Sequence, residues 1–129
     1  MHWRVYQEGS CLRLKKREVR DYLHDILESI DEVESFVEGM SFEEFMKDRK
    51  TKNAVMRSIE VIGEASRHVP VALREKYSEV PWKEIIGMRD KLIHGYSGID
   101  YETVWKATNE DVPSLKKLIQ KILNLLRGS

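Results

Sequence analysis

Three features of the sequence predict an all-α protein, a bundle of four to five main helices in up-and-down order. Apolar residues recur in steps of three and four along several stretches, cap and breaker residues stand at the ends of those stretches, and no segment bounded by turn signals alternates with a period of two. At 129 residues the chain is the length of one domain, with no internal repeat. Hydrophobic residues make up 41% and charged residues 34%, a balance that excludes disorder, and no run of about 18 uncharged apolar residues offers a membrane span.

Lys plus Arg and Asp plus Glu both number 22, so the formal charge is zero. That excludes a general nucleic-acid coat, which needs a broad positive excess, but leaves room for a local anion site. Cys11 is the sole cysteine, which rules out an intrachain disulfide and a multi-cysteine zinc site. No apolar core of a signal peptide follows the first basic residues, so a cytoplasmic location is expected.

The elements follow in order. Residues 1–16 keep no steady apolar period and read as an irregular basic leader, and 17–129 as a single helical domain. Across the first twenty residues six Lys/Arg stand against Glu8 and Glu18, a balance suiting either a solvated leader or an arm that touches nucleic acid. From Arg17 the residues Val19, Leu23, Ile26, Ile30, Val33 and Val37 form one stripe on a first helix, with Gly39 as its C-cap. Ser41 and Glu44 have the spacing of a capping box and open a short second helix ending near Asp48.

A third helix is expected from about Lys52 to Val69, stopped by Pro70. At 100° per residue from Ala54, the apolar residues Ala54, Val55, Ile59, Val61, Ile62, Ala65 and Val69 fall between about 340° and 140°, opposite a face of Arg57, Glu60, Glu64, Arg67 and His68. Residues 71–78 suggest one or two irregular turns. Pro81 fits the first turn of a fourth helix from Trp82 to about Ile93, punctuated by Gly95. Asp100 can cap a fifth helix to about Asn109. Asp111 with Pro113 starts a last one, striped by Leu115, Leu118, Ile119, Ile122 and Leu126.

One residue does not fit. With Trp82 at 0°, the apolar residues of the fourth helix span about 240° through 0° to 40°, and Arg89 falls at about 340°, inside them. A guanidinium stays charged, so an apolar setting requires an anion partner. Glu60 or Glu64 of the third helix could supply it, or Arg89 could line a cleft and take a phosphate, which its planar fork suits. His94 lies five residues on, at the helix end, where an imidazole titrates near neutral pH. A straight helix sets the two about 140° apart, so they share one ligand only if the helix unwinds or a second chain completes the site. His24 reads as a rim residue and His68 as a partner of the third helix's carbonyl end. Trp82 and Trp105 read as core or interface anchors.

The stretch Arg89-Asp-Lys-Leu-Ile-His94-Gly-Tyr96 resembles the Arg–four residues–His–X–Tyr signature of HEPN-domain proteins, and more closely the HepT family of ribonuclease toxins. Asn53 through Ala65, Pro81-Trp82, Tyr101 through Trp105, and Pro113 with the last helix are also similar to that family. The resemblance covers about residues 17–126 and implies a HEPN-like fold that dimerises. It implies a metal-independent endoribonuclease without a cofactor, cleaving RNA by attack of a ribose 2′-OH. Arg89 and His94 are then catalytic, Tyr96 positions the phosphate or the imidazole, and Asp90 orients a catalytic group or is a surface carboxylate.

In the same resemblance a nucleotidyltransferase antitoxin is the partner and attaches AMP to Tyr96, and a homodimer supplies two His94 side chains to one cleft. Arg57, Glu60 and Glu64, with Arg67, have two readings: a solvated ion-pair stripe, or a cleft wall whose Glu60 or Glu64 holds Arg89 when RNA is absent. Two rival functions stand beside the enzyme. One is a non-catalytic nucleotide- or substrate-binding partner of a nucleotidyltransferase, and the other a helical dimerisation protein in which Arg89 is merely paired.

Overall fold

The computed structural model describes the backbone over residues 7–94 and 98–127 and the side chains over 18–88 and 98–127. Among these residues there is no strand. Seven α-helices follow one another: α1 (Gln7–Val37), α2 (Phe42–Lys47), α3 (Arg49–His68), α4 (Val71–Lys76), α5 (Trp82–His94), α6 (Tyr101–Lys106) and α7 (Val112–Arg127). The long helices α1, α3, α5 and α7 make the all-α bundle that the periodicity predicts, and the short ones connect them. No described helix is long and apolar enough to cross a membrane.

The stripe on α1 is buried along its whole length, with Leu23, Ile26, Ile30 and Val33 fully enclosed against α3 on one side and α7 on the other. Gly39 ends the helix at a φ of 73°, in the left-handed region that only glycine enters without strain. The capping box forms as expected. Glu44 N donates to Ser41 Oγ at 3.1 Å and Ser41 N donates to Glu44 Oε1 at 3.0 Å. Asp48 closes α2 and caps α3, its carboxylate accepting from Thr51 N at 3.0 Å.

α3 starts at Arg49 rather than near Lys52, and two larger differences from the expected boundaries stand beside it. α1 begins at Gln7, so ten residues expected to be irregular have a helical backbone. The cause is propagation: once the buried part of α1 has nucleated, Leu12 through Lys16 are strong helix formers with no proline among them, and extension needs no apolar stripe. The side chains of that stretch, Cys11 included, lie outside the described residues.

The second difference is the join of the last two helices. The chain does not break between Asn109 and Asp111. It widens into one π-helical turn, Ala107–Asp111, that fuses α6 to α7. Pro113 lacks an N–H and would crowd the carbonyl four residues back in a regular helix, and the wider turn accommodates it. Side chains serve the carbonyls beside the turn: Thr108 Oγ1 donates to Val104 O and Asn109 Nδ2 to Trp105 O, each at 2.9 Å.

α3 is the central helix, packed on both α1 and α5. It therefore buries about half its circumference, including Ser58 and Ser66 inside the predicted apolar arc and Met56 and Gly63 beyond it. The core has two parts. One gathers α1, the C-terminal half of α3, Trp82 and α7. The other gathers Val37, Phe45, Val55, Met56, Ile59 and Val104, with Met88, Tyr101 and Trp105 packed against them. Lys116 of α7 adds a polar clasp to α1, bonding Asp31 at 2.9 Å and Glu34 at 3.1 Å. Hydrogen bonds from Asp31 first and Glu34 second hold its ammonium above the ordinary lysine value.

Candidate active site

The signature residues Arg89 and His94 lie on α5, and Trp82 fixes where that helix starts. Its side chain is 6% exposed, its Nε1 donates to Tyr77 O at 3.0 Å, and Ile85 N donates to Pro81 O at 3.1 Å to begin the helical ladder. α5 then runs antiparallel to α3. Trp82 belongs to the core part that holds Ala65 and Val69, and Met88 packs on the part that holds Val55, Met56 and Ile59. The C-terminal end of α5 thus lies at the N-terminal end of α3, beside α2 and the start of α6. An apolar cavity of about 100 Å³ separates α5 from the π turn, lined by Ile59, Ile62, Ile85, Met88, Val112 and Leu115 among others. Such a lining marks a packing gap rather than a site for a charged ligand.

Arg89, Asp90 and His94 occupy the last turns of α5, whose backbone stays helical through His94. Their side chains lie outside the described residues, and Tyr96 lies outside them altogether. Five residues along a helix advance about 7.5 Å and rotate about 140° beyond a full turn, and α5 keeps that separation for residues 89 and 94 because it does not unwind before its end.

The charged face of α3 is fully described. Arg57 Nη1 lies 3.6 Å from Glu60 Oε2, and His68 Nε2 lies 3.2 Å from Glu64 Oε1. The His68 ring stacks on Tyr22 of α1 at 5.1 Å between centroids. Arg57, Glu60, Glu64 and His68 share a shallow groove with Tyr22 and Asp25. The pairs are exposed, so solvent and salt screen them and they contribute little to stability. His68 thus has a ring and a carboxylate for partners rather than the helix's carbonyl end, and His24 is exposed. Among the described residues no group of His, Cys, Asp and Glu suits a metal ion.

Two carboxylates organise the end of the bundle where the signature lies. Asp48 caps α3. Asp100 caps α6 directly after the signature, accepting from Glu102 N at 3.1 Å, Thr103 N at 3.3 Å and Thr103 Oγ1 at 2.8 Å. Both carboxyls are held below the usual aspartate value, Asp48 chiefly by the backbone bond from Thr51 and Asp100 chiefly by the Thr103 hydroxyl. Phe45 packs between Trp105, at 5.0 Å, and Tyr101, at 6.2 Å, and gives this end a rigid aromatic floor. Trp82 and Trp105 are anchors of the two core parts, as expected. The sequence reading passes over Lys52, whose Nζ lies 4.7 Å from the centroid of the Tyr101 ring. The run Lys47-Asp-Arg-Lys-Thr-Lys52 is visible in the sequence, but only the fold brings it to the end of α5.

Comparison with known proteins gives concordant matches. A family model described as Ribonuclease HepT-like matches residues 26–122. A Thermococcus cleftensis protein named "Probable ribonuclease HepT" is 47% identical over 107 residues, covering 83% of this chain and 97% of its own. A Methanocaldococcus jannaschii protein named "Putative RNase MJ1216" is 45% identical over 115 residues, covering 89% of this chain and 95% of its own. No solved structure matches the chain.

Proposed function

The chain belongs to the HepT-like ribonuclease family, and from that premise we propose that it is a metal-independent endoribonuclease toxin whose site is Arg89 and His94 of α5 together with Tyr96. The relatives are named as ribonucleases, which supports RNA as substrate. The observation that carries the site is α5 itself: the signature arginine and histidine are five residues apart on a helix that holds its form to His94. A straight helix sets residues so separated about 140° apart, which favours completion of the site by a second chain. A second copy that faces its own α5 across the first brings four such groups to one cleft, which supports a homodimer.

The chemistry needs little else. One His94 takes the proton of the ribose 2′-OH as its oxygen attacks the adjacent phosphorus. The bond to the 5′-oxygen breaks, and that oxygen leaves with a proton from the other His94. The products are a 2′,3′-cyclic phosphate and a 5′-hydroxyl. Acid–base catalysis of this kind is worth about 10²–10⁴ in rate. Arg89 stabilises charge on the non-bridging oxygens, where a fixed guanidinium matches a planar array of oxygens. Asp90 orients a catalytic group. Glu60 and Glu64 pair with Arg57 and His68 in the groove beside α1, so no direct part in the cleft is assigned to them. Incubating the protein with RNA in EDTA tests the reading: fragments ending in cyclic phosphate and 5′-hydroxyl are expected. Intact RNA, or cleavage only after metal is restored, contradicts it. Intact RNA with mononucleotides bound favours the non-catalytic binding partner.

The regulatory half of the proposal is a nucleotidyltransferase antitoxin. The Tyr96 phenolate oxygen attacks the α-phosphorus of ATP and pyrophosphate leaves, so that AMP fills and neutralises the phosphate site. Mass spectrometry of the toxin co-expressed with its genomic neighbour is expected to find one AMP on Tyr96. Inactive toxin with unmodified Tyr96 contradicts this step.

A further inference from the structure

Resting on the ribonuclease reading, we propose that the basic corner where α2 meets α3, made of Lys47, Arg49, Lys50 and Lys52, grips the RNA sugar-phosphate backbone beside the cleavage site. The corner places four cations within six residues of a chain whose formal charge is zero. The one acid among them, Asp48, is committed to capping α3 through Thr51. Lys47, Arg49 and Lys50 are exposed, and no ion pair joins any of the four to a carboxylate among the described residues. Elsewhere three cations, Arg57, Lys116 and Lys121, each face a carboxylate. The stretch from Asp21 to Glu38 carries seven carboxylates and no Lys or Arg, a surface that repels RNA. The corner is thus a local attractor for a polyanion on a molecule with little general affinity for one.

Stability of the fold does not account for it. Arg49 and Lys50 occupy the first turn of α3, which has no acidic residue, and a cation there opposes the helix dipole. Position does account for it. Met88 of α5 packs at the level of Met56 and Ile59 of α3. From Met88 to His94 the helix advances about 9 Å, and the same distance back along antiparallel α3 reaches the turn of Lys50 to Lys52. Lys52 also lies over Tyr101, at the start of the helix that follows the signature. A strand whose scissile phosphate sits at the end of α5 has its neighbouring phosphates within reach of this corner. Ammonium groups and a guanidinium recognise phosphate without choosing a base, so the contact adds affinity and orientation but no sequence preference.

The test is the salt dependence of binding, measured with a short fluorescent single-stranded RNA and the full chain carrying His94→Ala so that the probe survives. Adding K47Q, R49Q and K50Q together is expected to make the plot of log K against log[salt] shallower by about 2, at roughly 0.7 per lost phosphate contact, and to weaken binding at least about tenfold at low salt. A control triple, K76Q with K83Q and K117Q, changes the net charge equally and is expected to keep the slope. K47R with K50R is expected to keep it too, with all melting curves coincident. Equal slopes for the corner and control triples would overturn the proposal. Failure of the ribonuclease reading looks different: a wild-type chain that binds with the full slope yet cuts no RNA removes the activity and leaves the corner standing.

Discussion

Ser66 shows where a residue's position on a helix and its polarity part company. It is fully buried in α3, and its hydroxyl has no hydrogen-bond partner among the described residues. A buried, unpaired hydroxyl is an energetic cost that alanine removes at little loss of packing. Ser66→Ala is therefore expected to raise stability by about 1 kcal/mol, read as a higher urea midpoint with an unchanged slope. A lower midpoint would mean that the hydroxyl has a partner in solution. By position Ser66 falls at about 120° on α3, inside the predicted apolar arc, but apolar periodicity does not mark a serine. Apolar periodicity marks the α1 stripe from Val19 to Val37 correctly, because large apolar residues fill it. On α3 the small residues Ser58, Gly63 and Ser66 are buried too, where close approach of neighbouring helices leaves no volume for larger ones.

At the scale of elements, caps were legible and joins were not. Ser41, Asp48 and Asp100 act within a few residues of themselves, so local rules suffice to find Ser41 and Asp100. The π turn at Ala107–Asp111 depends on α7 continuing α6 over Pro113, which local rules read as a stop. The caps carry a pH prediction. Asp48 and Asp100 both have folded-state pKa values below their ordinary aspartate value. Their stabilisation is therefore fully present above the unfolded pKa, near 4, and is lost as pH falls through the lower folded values. Melting temperature is expected to drop as pH falls below about 4, and D48N/D100N to flatten that acid limb, since Asn still caps but does not titrate. An acid limb identical to that of the wild type would assign the effect to other carboxylates.

For the whole molecule, the all-α class could be read from the sequence because it follows from short-range spacing. The antiparallel packing of α5 on α3 could not, since it depends on which faces meet across the bundle. With it went the position of Lys52 above Tyr101. The α3 face also resolved only in the fold: Glu60 and Glu64 have Arg57 and His68 as partners beside α1. The account rests on Arg89 and His94 acting together on one phosphodiester, on a helix that holds them apart in a single chain. The most direct measurement is RNA cleavage in EDTA by the wild type, His94→Ala and Arg89→Ala, each checked for equal melting temperature. The account predicts loss of roughly 10²-fold or more in each variant, and cleavage by His94→Ala at the wild-type rate would contradict it.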